Sequence, residues 1–286
     1  MSVGPARRAK SGNAVSFGAL VASELSRLRA RRAVRIALLI VVGLTLTVVA
    51  IMAIRSTGTG PTDHTMRLRA LWTVADGRSQ DTALLSVAVY LFVVAAGLAA
   101  TAIGGDYRAG TVGTPLTWEP RRVRLASARL LAIVAVTGAF YLVVTGVLVG
   151  SWWLGSATRG STAVPAGFWT DVVLLCARCL AATIGFALVT AGVVLLTRST
   201  VGGIIVWVGY LVAIEGVLAN QVRGLRAHLL IVNLAAFLEG VPERVTDGGG
   251  GGTVVVHPSD GLVTLVAVVV VAVALGVAAF ARRDVT

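Results

Sequence analysis

Few residues of this chain carry groups that could do chemistry. The three histidines, His64, His228 and His257, lie far apart in sequence and offer no metal-ligand spacing; they read as solvated loop residues. No His-Glu-x-x-His and no Gly-x-Ser-x-Gly occurs. A Walker A loop needs a Gly-Lys step, and the only lysine, Lys10, follows Ala9. The chain therefore has no ATPase site of its own, binds no cofactor and reads as a non-enzyme. Cys176 and Cys179 sit one helical turn apart in an apolar run and read as small packing residues. Two groups of charges remain. One is the stretch from Gly104 to Arg122 and its continuation to Arg129, where seven charges between Asp106 and Arg129 interrupt an apolar chain. The other is a pair of isolated charges inside apolar runs, Arg178 and Glu215.

The elements around these charges must be membrane helices. Of the 286 residues, 56% are hydrophobic and only 13% are charged, whereas a soluble domain carries about 25% charged residues. Several uncharged runs reach the roughly 20 residues that a helix needs to cross a bilayer. They lack strand-like alternation, and lipid tolerates only helices or closed barrels. The expected fold is an all-α membrane protein with six spans: 36–54, 82–103, 130–153, 172–197, 201–219 and 261–281. A basic leader, 1–35, precedes them, the charged segment 104–129 joins the second to the third, and 282–286 form a tail. Arg198-Ser199-Thr200 leaves room only for a tight hairpin between the fourth and fifth.

Six spans put both termini on one side. That side would hold 16 of the 25 Lys and Arg residues, against eight on the other. The positive-inside rule makes it cytoplasmic. The net charge of +12 is thus a topology signal, and no compact soluble domain is left to bind nucleic acid. Trp152, Trp153 and Trp169 fall where an outer aromatic belt should be.

Within the leader, Phe17, Leu20, Val21, Leu25 and Leu28 recur at helical spacing among arginines. Such a helix lies in the interface, with its arginines near anionic lipid headgroups. Near the other end of the chain, 220–240 is apolar but broken by Arg223, Arg226, His228 and Asn233. It is too short to cross and reads as an outer re-entrant segment. Gly248 to Gly252 reads as a flexible tether to the last span. Small residues four apart, such as Ala96, Ala100 and Gly104 or Ala272 and Gly276, let helices approach closely, within the chain or across a seam with a second copy.

Gly110 suits a left-handed helix cap and Pro120 the first turn of a new helix, which would run through Arg124 and Arg129 into the third span. The charged segment then lies along the cytoplasmic face, where a partner could push on two spans at once. Asp106, Gly110, Thr111, Leu116, Pro120 and Arg121 resemble the coupling region of type-2 ABC transporter permeases. That family usually has Glu where Asp106 stands. The six-span plan, the interfacial helix and the sticky outer segment are similar too. The resemblance implies a permease in the plasma membrane, exporting an amphipathic small molecule or lipid. It also implies a separate ATP-binding subunit that holds ATP and Mg, and a second permease copy or a sister permease. A scaffold or sensor that binds a cytoplasmic partner without transport is the other reading of the same residues.

Arg178 and Glu215 fall at similar depth in neighbouring antiparallel spans. A charge at the bilayer centre costs about 2.5–3.5 kcal/mol on insertion scales. The two read as a polar pair lining a path, as a structural ion pair, or with Arg178 reaching outward.

Overall fold

The structure is a computed structural model that describes residues 16–55, 66–67, 73–75, 78–81, 83–111, 121–218, 225–246 and 253–282. Leu116 and Pro120, the first 15 residues, the Gly248–Gly252 tether and residues 283–286 lie outside them. The chain is mostly helical. Among the described residues, five helices are long and apolar enough to cross a membrane, as in a multi-pass membrane protein.

The helices are α1 Phe17–Ala30, α2 Arg32–Arg55, α3 Ala83–Arg108, α4 Arg122–Arg159, α5 Phe168–Thr197, α6 Thr200–Gly209, α7 Leu230–Glu239 and α8 Pro258–Arg282. The long ones are α2, α3, α4, α5 and α8. Short strands pair between them: β1 (Met66–Arg67) with β4 (Gly160–Ser161), β2 (Thr73–Ala75) with β3 (Arg78–Asp81), and β5 (Glu243–Thr246) with β6 (Thr253–Val256). The β5–β6 pair is an antiparallel hairpin flanking the glycine run that sequence reads as a plain tether.

Local chemistry explains the boundaries. Ser16 caps α1, its hydroxyl accepting from Ala19 N at 3.2 Å. α4 begins at Arg122 and runs unbroken for 38 residues, about 57 Å at 1.5 Å per residue. The cytoplasmic helix expected before the third span and that span are therefore one rod. Arg198 adopts a left-handed conformation at the end of α5, and Ser199 Oγ accepts from Gly202 N at 3.2 Å to start α6. This is the tight hairpin that the short hinge requires.

The expected fifth span, 201–219, is not one regular helix. α6 ends after ten residues, and Tyr210–Leu218 continue as a wider π-helix. Such winding concentrates at functional positions. Trp152 also departs from expectation: it is 7% exposed and packs in the core, while Trp153 and Trp169 remain exposed.

α5 is the most buried of the long helices, packed between α3 and α8. One apolar cluster joins α2, α3, α4 and α5 around Leu91, Tyr141 and Leu175, and reaches Phe237 of α7. A second gathers Leu28 of α1, Ile103 of α3, Leu125 of α4, Val194 of α5 and Phe280 of α8. Exposed Leu39, Val93, Leu142 and Val263 leave apolar outer faces suited to lipid. At the end of the bundle opposite α1, α8 starts against α7: a Cβ on Gly261 would collide with Asn233 O. Asn233 is itself buried, its amide donating to Ala227 O and Leu229 O at 2.9 and 2.8 Å. Among its described residues, the segment 220–240 thus contains one 3-10 turn and one ten-residue helix.

Candidate functional site

The charged stretch opens where α3 ends. Gly110 takes φ +65°, and Thr111 N donates to Asp106 O at 3.0 Å, closing the helix with the left-handed cap that its sequence suggests. Asp106 itself does not face outward. It is 5% exposed and stands among three arginines from two other elements. Arg31 Nη2 donates to Asp106 Oδ1 at 2.8 Å, and Arg27 Nη2 donates to Oδ2. Arg129 Nη2, from α4, lies 3.1 Å from Oδ2. Glu24 of α1 is buried beside them, 3.4 Å from Arg129 Nε and 3.5 Å from Arg27 Nη1. Arg31 Nη1 also donates to Thr101 O at 2.8 Å.

These contacts join α1, the end of α3 and the start of α4 into one unit. Burying a charge is costly unless it is paired and hydrogen-bonded. Here two carboxylates meet three guanidinium groups beside the apolar cluster around Leu28 and Leu125. The arrangement fixes geometry. Arg31 also has extended backbone and breaks the chain direction between α1 and α2, so the turn and its tether are one residue.

Of the six residues read as the coupling set, Leu116 and Pro120 lie outside the described residues; Asp106, Gly110 and Thr111 meet at the α3 terminus. Arg121 is exposed just before α4. The Asp106 carboxylate is turned inward, onto arginines of this chain. Sequence reasoning missed Glu24, Arg27, Arg31 and Arg129 as its neighbours. Glu24 carried a signal, because it stands seven residues after Phe17, on the apolar stripe of an otherwise basic helix. An acid on that stripe needs a buried cation.

Arg178 and Glu215 do not pair with each other. Glu215 Oε1 accepts from Tyr210 OH at 2.7 Å and from Ile231 N at 3.1 Å, at the start of α7. The Arg178 guanidinium lies against Gly240, which caps the other end of α7; a Cβ there would collide with it. The acid thus meets the positive end of the α7 dipole and the base its negative end. Ten residues of helix, about 15 Å, keep them apart. Each contact is worth about 0.3–2 kcal/mol on dipole grounds. Arg178→Ala and Glu215→Ala should each destabilise by that order, with the double mutant within about 0.5 kcal/mol of the sum. A coupling energy above about 1 kcal/mol in a denaturation cycle would instead mean that the side chains meet directly.

Among the described residues, no three His, Cys, Asp or Glu side chains form a metal-ligand group. Cys176 and Cys179 are free thiols on α5. Tyr141 OH donates to Cys176 O at 2.9 Å. Comparison with known proteins finds no family model that matches the chain and no matching curated protein.

Proposed function

We propose that the chain is the permease subunit of an ATP-driven ABC exporter of the type-2 class, carrying an amphipathic small molecule or lipid outward. The observation that carries the reading is the ion network at Asp106. A force applied between α3 and α4 would reach α1 through the same five charged side chains. An interfacial helix locked to a coupling segment is what a subunit driven from outside its own chain needs. In this reading the docking lever is the connection between Thr111 and Arg121, and Asp106 anchors its base.

The topology that goes with it has six crossings, the fifth made by α6 and the π-helical turn, with both termini cytoplasmic. Sixteen of the 25 basic residues then lie inside, and α7 is an outer re-entrant element. ATP and Mg belong to a separate subunit, and a second copy or a sister permease completes the pathway in the plasma membrane.

Co-expression with a candidate Walker A subunit tests this. The two should co-purify, and the permease should change ATP turnover at least twofold. Replacing 112–120 by a Gly-Ser linker of equal length should return turnover to that of the ATPase alone. A chain that never associates with such a subunit is not this permease. Association without flux in proteoliposomes would make it a scaffold.

A further inference from the structure

We propose that the groove between α5, the π-helical turn, α7 and α8 binds the cationic headgroup of an organic amphiphile. As a cargo assignment this rests on the permease reading; as a binding site it does not.

The groove is open on one side, offers about 150 Å3 and is lined by Val189, Val193, Trp207, Tyr210, Leu230 and Val268 among others. An apolar cavity of about 150 Å3 holds a benzene ring, so one small ring or one trimethylammonium group fits here. Drug-sized ligands need larger pockets, of roughly 300–1,000 Å3. The occupant is therefore a compact headgroup, with its tail left to the exposed apolar face of Val206 at the groove.

The aromatic wall is held in place before any ligand arrives. Phe92, Phe186 and Trp207 form a continuous stack, with centroids 5.1 and 5.0 Å apart and planes within 10°. Trp207 Nε1 donates to Thr190 Oγ1 at 2.7 Å, which fixes the indole in its plane. Tyr210 meets Trp207 edge-on at 6.2 Å, and its hydroxyl donates to Glu215. Leu230 N points at the same hydroxyl from 3.4 Å. Rings held on two sides lose little entropy on binding.

Charge selects the ligand. The π-faces of Trp and Tyr attract cations, and desolvation strengthens that attraction. Glu215 stands one hydrogen bond behind the wall. Among the described residues it has no cationic partner, and its Oε2 accepts no hydrogen bond. The start of α7 offsets only about half a unit charge. Negative charge beside aromatic rings within an apolar site favours a cation, repels an anion and gives a neutral molecule nothing extra.

Titration calorimetry on the purified full chain in non-ionic detergent tests this with three probes of similar size. Benzyltrimethylammonium should bind saturably at one site per chain. N,N-dimethylbenzamide, which is neutral, and benzylsulfonate, an anion, should bind at least tenfold more weakly. Glu215→Gln keeps an acceptor for Tyr210 and Ile231; it should weaken the cation about tenfold and leave the amide unchanged. Trp207→Leu should weaken both. Equal binding of cation and amide by the unaltered chain overturns the site, as does the absence of cation binding or a Glu215→Gln chain that retains full cation affinity. The comparison on the unaltered chain decides even where a variant fails to fold. Cation selectivity in a chain that no ATPase joins would leave the site standing and remove the permease. An ATPase-coupled chain without the selectivity would do the reverse.

Discussion

Asp106→Ala should destabilise the folded chain by roughly 3–5 kcal/mol, the usual cost of removing one member of a buried ion pair. The loss comes mainly from Arg129, whose side chain is 5% exposed and would keep only Glu24, at 3.4 Å, as an acidic partner. Arg31 loses one anchor but keeps the bond to Thr101 O. Arg27 is 40% exposed and regains water, so its share is small. Glu24→Ala should cost less, because Glu24 meets two of the arginines and Asp106 meets all three. Pairing Asp106→Ala with Arg129→Leu should recover part of the loss, since the buried guanidinium goes with its acid and Glu24 keeps Arg27 at 3.5 Å. Denaturant unfolding in detergent reads all four chains. If Asp106→Ala unfolds within about 0.5 kcal/mol of the unaltered protein, the network is not what holds α1 to α3 and α4. On the proposed permease reading, the same variant, if folded enough to purify, should also lose its effect on ATP turnover, because α1 would no longer follow the segment between α3 and α4.

The long helices were legible because hydropathy and local capping act within a few residues. Ser199 and Pro258 start helices where their backbone chemistry suits it, and Gly110 ends one for the same reason. What sequence concealed was direction. Asp106 stands out as an acid at a helix end, but Arg27 lies 79 residues earlier, and nothing local says that it returns there. The expected meeting of Arg178 and Glu215 rested on similar depth alone. It fails because α7 folds between them and takes a charge at each end. Trp152 and Trp153 show the same limit: adjacent positions on one helix point in different directions, and only one can line the core. The π-helical winding at Tyr210 had no sequence marker, since Tyr210–Leu218 is as apolar as a regular span.

Gly192→Val should be among the most damaging single changes in the apolar core, costing about 1–3 kcal/mol or more. A Cβ at Gly192 would collide with the Ala272 carbonyl, and one at Gly276 with the Gly192 carbonyl. The obstacles are backbone atoms, so no rotamer change can clear them. α5 and α8 must move apart. In lipid that separation is expensive, because no hydrophobic force pulls two helices back together and close packing is their main attraction. This contact also shows that the small-residue face of Ala272 and Gly276 packs within the chain. Gly276→Val should cost about as much as Gly192→Val. The double variant should fall well short of the sum, because one separation relieves both clashes. Gly146, on an exposed face of α4, has nothing within 4 Å of a built Cβ. There Gly→Ala should stabilise by about 0.5–1 kcal/mol through the helix backbone alone. Thermal unfolding of the four variants beside the unaltered chain separates the two situations by sign. A Gly192→Val protein that melts with the unaltered one would mean that α5 and α8 are not in backbone contact, and the bundle would then need a looser arrangement around its most buried helix.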